Sequence, residues 1–186
     1  MENSDFPKRR KILVFMIMKV ELLQRSKASI IVIGSEILKG VIQDTNSHWL
    51  AKALTNMGFE VLRIIVVPDS YEDISWALKT SLEISDIVVT TGGLGFTEDD
   101  ITLEAVAKTL NVKLVLDQEA LNMIKRKVGE NALHYVKAAT IPEKSKPLYN
   151  PVGISPGVYM EIHGKIIIVL PGVPSEMTAI FEEQVK

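Results

Sequence analysis

Three apolar, β-branched runs, each closed by turn residues and the first two followed by stretches of helical periodicity, constrain this chain more than any other feature. The first, "ASIIVIG" from Ala28 to Gly34, is apolar on both faces and reads as a buried strand. In "DTNSHWLAKALTNMG" the apolar positions 49, 50, 53, 54 and 57 share one helix face. Asp44, Thr45 and Asn46 offer N-caps, and Gly58 suits the stop. "FEVLRIIVVPD" predicts the second strand, and Ser70 with Asp73 opens a helix through about Glu83 as a capping-box-like pair. "SDIVVTTGG" predicts the third. Strands alternating with helices argue for an α/β sandwich with a mostly parallel sheet.

The remainder of the chain extends that pattern. Helices are predicted near Asp99–Leu110 and Gln118–Val128, around a short strand "VKLVL". Thr140 to Pro156, rich in proline and turn residues, predicts an ordered loop. "GVYMEIHGKIIIVLPG" predicts a hairpin turning at His163–Gly164, an antiparallel edge to the sheet, and a final helix starts near Ser175. With 186 residues, 47% of them hydrophobic, the chain suits one packed domain, taken as 29–186, behind an N-terminal arm, 1–28. The arm's apolar run Ile12–Met18 is too short for a membrane span and lacks a cleavage site. It reads as an extra strand or arm, or as sequence upstream of a later start at Met18. A net charge of −2 argues against a nucleic-acid partner. The absence of cysteine excludes disulfides and thiolate chemistry and suits a cytoplasmic protein.

In open α/β sheets ligands bind outside the carboxyl ends of the strands. Three such ends carry unusual sequence here: "GSEILKG", "TTGGLGFTEDD" and "PGVPSEM". The second is neither a P-loop, since no lysine follows, nor a dinucleotide fingerprint, since Glu98 takes the place of the last glycine. Gly92, Gly93 and Gly95, after Thr91, remove side chains that would block close backbone approach. Thr97 is a natural N-cap with Asp100 three residues on, and helix-start amides favour an anion. A tight turn with acids on the helix dipole would explain part of this. Glu98, Asp99 and Asp100, three carboxylates within one turn, exceed what capping requires.

Carboxylates repel phosphate unless a divalent cation bridges them, as magnesium does with one or two carboxylates plus substrate oxygens. Alternatively an acid grips a ribose hydroxyl or a heterocycle N–H while the backbone holds the phosphate. Either way the expected ligand carries both an anionic group and something an acid can grip; nucleotides and phosphorylated pterins qualify.

These residues closely resemble a known signature. "TTGGLGFTEDDITLEAVAKTL" is similar to the molybdopterin-binding domain shared by the MogA, MoaB and MoeA families of molybdenum-cofactor biosynthesis. "GSEILKGVIQDTNSHWLAKALTNMGFEV" and "NPVGISPGVYMEIHGKIIIVLPGVPSEM" resemble more closely the N-terminal domain of CinA, the competence/damage-inducible family. The resemblance covers about Ser29 to Glu183. It implies a three-layer α/β/α fold with a mixed sheet, homo-oligomers, and a molybdopterin or nucleotide site at the glycine turn. For CinA-like domains it implies metal-dependent ADP-ribose pyrophosphatase activity. For MogA-like proteins it implies magnesium- and ATP-dependent adenylylation of molybdopterin, supported by an acid in the region of Asp99 and Asp100. The alternatives are that adenylyltransferase and a module that binds without turnover. The deamidase of full-length CinA sits in a separate C-terminal domain and is not carried over. Phe96 stands where CinA-like sequences commonly have proline, and "PEKSKP" replaces the usual glycine–alanine loop.

The site so expected has Asp99 and Asp100 as catalytic residues and, with Glu36, as metal ligands. Thr91, Gly92, Gly93, Gly95, Thr97, Asn46, Gly172, Pro174 and Ser175 bind substrate. Asp44 and Asn46 serve equally well as helix caps, and Pro171, Gly172, Pro174, Ser175 and Glu176 form a second strand-to-helix turn. His48, His134 and His163 show no metal-ligand spacing. Trp49 and Trp76 fall on apolar helix faces and are expected in the core.

Overall fold

A computed structural model describes residues 26–186; the expectation for the arm's run 12–18 lies outside the described residues. Four parallel strands form one side of a six-stranded sheet, out to its β2 edge: β1 (Lys27–Ile33), β2 (Glu60–Val67), β3 (Ile87–Thr91) and β8 (Lys165–Leu170). β7 (Gly157–Ile162) and β6 (Lys146–Leu148) continue it antiparallel, giving the order β2-β1-β3-β8-β7-β6. β1 opens at Lys27, so residues 27 and 28 of the expected arm already belong to the sheet. The predicted hairpin is β7–β8, turning at His163 (φ 48°) and Gly164 (φ 75°), the two positive angles that such tight turns need. The sheet edge lies one strand further out, because β6 falls in the predicted loop 140–156. So does β5 (Thr140–Pro142), which pairs with β4 (Leu114–Leu116) in a separate two-stranded sheet.

The helices are α1 (Ser35–Leu38), α2 (Asn46–Asn56), α3 (Tyr71–Ile84), α4 (Thr102–Leu110), α5 (Gln118–Val128) and α6 (Pro174–Ile180). Strand side chains alternate between two cores, as the pleat requires. On one face Ile30, Val32, Val89 and Ile168 pack on Leu50 and Leu54 of α2 and on Ile180 and Phe181. On the other, Ile31, Val88 and Ile167 pack on Ile74 and Leu78 of α3 and Val106 of α4. This is the three-layer α/β/α sandwich with a mixed, mostly parallel sheet. A third, small core unites α5 with the 3-10 turns Gly129–Tyr135 and Lys137–Ala139 around Leu121, Ile124 and Ala139.

Two expectations change. Trp49 joins the first core, its ring edge-on to Phe181 at 5.4 Å, but Trp76 is 57% exposed. The helix expected from Asp99 begins at Thr102, and Thr97 does not cap it. Among the described residues no helix is long and apolar enough to cross a membrane.

Candidate functional site

The carboxyl ends of β1, β3 and β8 surround a cleft of about 870 Å³. Its floor is built from two glycine turns pressed together. Gly92 (φ 108°) donates its amide to the Leu170 carbonyl at 3.1 Å, and a β-carbon there would collide with the Ile33 carbonyl oxygen. Gly93 (φ 59°) abuts the Thr102 hydroxyl, which donates to the Gly92 carbonyl at 2.9 Å. Gly95 has no positive φ. The Asp100 carboxylate occupies the space that a β-carbon on Gly95 would fill, so a side chain there would displace Asp100 from its Thr97 bonds.

Asn46, 7% exposed at the start of α2, ties the turns together. Its Nδ2 donates to the Thr91 hydroxyl at 2.9 Å and to the Gly172 carbonyl at 2.8 Å. The Thr91 hydroxyl in turn donates to the Pro171 carbonyl at 2.8 Å. The capping work expected of this segment falls to Asp44, which accepts the Ser47 amide at 3.0 Å and its hydroxyl. Glu176, at the start of α6, accepts from Asn150 at 2.7 Å and lies over Gly153.

Asp100 is the acid most tightly held. Its Oδ2 accepts the Thr97 amide at 2.9 Å and the Thr97 hydroxyl at 2.6 Å. Partial burial pushes its carboxyl up. The Thr97 and Gly95 hydrogen bonds and the Lys137 charge outweigh that and hold it below the ordinary carboxylate value. The Asp99 and Glu36 side chains make no hydrogen bond or ion pair with another described residue, though Glu36 folds against the α-carbon of Gly34.

Ten of the expected site residues line the cleft: Glu36, Asn46, Thr91, Gly92, Gly93, Gly95, Asp99, Asp100, Gly172 and Pro174. Thr97 and Ser175 do not; Thr97 acts through Asp100, and Ser175 is exposed at the start of α6. Asp69, after β2, lines the cleft and was not expected. Its Oδ2 accepts the Ser35 amide at 2.9 Å and hydroxyl at 2.8 Å, joining the ends of β1 and β2. The only signal for it was its place after a strand, where "PDS" reads equally well as an ordinary turn before α3.

Among the described residues no three histidine, aspartate or glutamate side chains converge on one point as a metal cage would require. The expected trio Glu36, Asp99 and Asp100 therefore forms no such cage; what the lining leaves to a magnesium ion is the mode in which one or two carboxylates hold it and substrate oxygens complete its shell.

A cleft at the carboxyl ends of parallel strands, floored by glycine turns and walled by acids, defines a small-molecule-binding α/β domain. The chain belongs to the family described as "Probable molybdopterin binding domain", whose model matches residues 29–186, and within it is a CinA-like domain. A protein of Caldivirga maquilingensis is 48% identical over 84% of this chain, and one of Thermoplasma acidophilum 45% identical over 86%. The chain spans 63% of the length of each. The crystal structure of "the protein CinA with unknown function" from Thermoplasma acidophilum matches with a TM-score of 0.82 at 43% identity, over 86% of this chain and 96% of that one. The tungsten cofactor synthesizing protein MoaB from Pyrococcus furiosus, 21% identical, shares the fold with a TM-score of 0.59, over 86% and 90% of the two chains.

Proposed function

We propose that the cleft takes a nucleotide diphosphate of the ADP-ribose type together with a divalent cation, magnesium, and hydrolyses the pyrophosphate. One observation carries this reading. Glu36, Asp44, Asp69, Asp99, Asp100 and Glu176 line the cleft, and no described lysine, arginine or histidine does. A bare pyrophosphate is repelled by six such carboxylates; accompanied by a cation it is attracted. The volume falls in the range of small-molecule sites, roughly 300–1,000 Å³.

In this reading Asp99 would hold the ion together with either Asp100 or Glu36, not both, and with substrate oxygens, because the Asp99 carboxylate carries no competing hydrogen bond. The amides of Gly93 and Leu94, which donate to no other described residue, would face a phosphate oxygen. Those of Gly92 and Thr97 are already engaged by Leu170 and Asp100. Thr97 orients Asp100 and keeps it ionised. When bound, the ion supplies water activation and neutralises charge developing on the pyrophosphate.

The test is magnesium-dependent release of AMP from ADP-ribose, lost in Asp100→Asn. Robust turnover by that variant removes the assigned role. The lack of three converging ligands favours a second reading, a cleft that holds a nucleotide or molybdopterin without turnover. It predicts saturable binding with no product. We also propose that the protein is a cytoplasmic homo-oligomer; analytical sedimentation would report the oligomer and cell fractionation the compartment.

A further inference from the structure

No described lysine, arginine or histidine lines the cleft, yet two lysines grip its walls from outside, and both belong to the small helical unit 118–139. Lys137 donates from Nζ to the Thr97 carbonyl at 2.6 Å, reaches the Glu98 carbonyl at 3.4 Å, and stands 3.4 Å from Glu104 Oε1. Glu104 Oε2 is buried without a hydrogen-bond partner among the described residues, so Lys137 is the charge that offsets its burial. Beside this contact Tyr135 meets Phe96 edge to face, with ring centroids 4.5 Å apart. The second wall is held in the same way. Lys127 donates to the Gly153 carbonyl, lies 5.4 Å from the Tyr149 ring centroid, and is close enough to feel the charge of Glu176. Ile154 packs on the unit's own core.

We infer that Lys137 and Lys127 are positioning residues: from behind the backbone they fix the acidic loop 96–100 and the loop 150–155, leaving the cleft's inner surface free of positive charge. The physical need is plain for the first loop. Glu98, Asp99 and Asp100 are consecutive, and like charges at this spacing spread a loop unless a cation offsets them. A lysine inside the cleft would offset them too, but it would neutralise the face that is to draw a metal. Bonded to the Thr97 and Glu98 carbonyls, Lys137 sets the loop without touching the ligand. The binding consequence rests on the nucleotide reading above; the loop-ordering consequence does not.

Two measurements separate these consequences. Hydrogen exchange of amides 94–100 is expected to quicken about tenfold or more in Lys137→Met, with β1 and β3 unchanged, and to return near wild type in Lys137→Arg, which keeps the charge. Lys127→Met is expected to do the same to amides 150–155. In calorimetry with ADP-ribose and magnesium, Lys137→Met is expected to weaken affinity at least about tenfold, and Lys137→Arg to restore it within about threefold. Unchanged exchange in Lys137→Met and Lys127→Met overturns the positioning role, as does a loss that arginine fails to restore. Quickened exchange in a protein whose wild type binds no nucleotide supports the positioning role and sinks the nucleotide reading instead.

Discussion

Gly172 and Gly92 are packed backbone to backbone where β8 and β3 end, so close that a β-carbon on Gly172 would stand 3.3 Å from the Gly92 α-carbon. The two turns that floor the cleft are therefore one packed unit, and their small residues are required by contact as well as by conformation. Gly92→Ala meets both demands at their worst, a φ of 108° and a collision with the Ile33 carbonyl. It is expected to cost at least about 3 kcal/mol in urea unfolding. Gly172→Ala, with ordinary backbone angles and one tight contact, is expected to cost about 1 kcal/mol. Equal losses at the two positions would contradict this assignment.

Asn46 donates to two acceptors from different turns, and neither is replaced if the amide is removed. Asn46→Ala leaves the Gly172 carbonyl and the Thr91 hydroxyl short of a donor, at about 1–3 kcal/mol. Asn46→Asp is expected to be worse, since a carboxylate there faces the Gly172 carbonyl oxygen. A stability at or above that of the alanine variant would show that the aspartate finds another donor.

What the sequence made legible follows from the range of each interaction. The buried strands and the three glycine- or proline-marked strand ends are written locally, in β-branched runs and turn residues, and the structure brings those ends together. Asp69 and the two lysines were not legible, because their partners lie far off: Ser35 is 34 residues from Asp69, and Thr97 is 40 from Lys137. β6 was missed because three residues containing Pro147 become a strand only by pairing with β7. The start of α4 was misplaced because Thr97 and Asp100 make the carboxylate-to-amide half of a capping box in a turn of their own, which ends two residues before the helix begins at Thr102.

Trp76 shows the limit of periodicity from the other side. Its spacing on α3 matches an apolar face, but the face that packs is set by Ile74, Ala77 and Leu78, and the indole stays 57% exposed. Trp76→Ser is therefore expected to change stability by no more than about 0.5 kcal/mol. Trp49→Ala, which removes the ring packed on Phe181, is expected to cost about 2–3 kcal/mol. Thermal unfolding of the two variants side by side checks the contrast, and a larger loss at Trp76 would mean that its face is covered.

Tyr159 gives a pH signature that belongs to the fold alone. It lies on β7, 5% exposed, and burial followed by the negative charge of Glu161 pushes its phenol up from 10.0 to about 12. Below pH 10 the phenol is neutral in both folded and unfolded chains, so its contribution is fully present and independent of pH. Between pH 10 and 12 the unfolded chain releases the proton while the native state keeps it, so stability falls as pH rises. Tyr159→Phe has no proton to lose. Its urea midpoint is expected to decline less than that of wild type between pH 10 and about 12. Parallel declines would show that the phenol ionises alike in both states and that its burial within the sheet imposes no cost on the charged form.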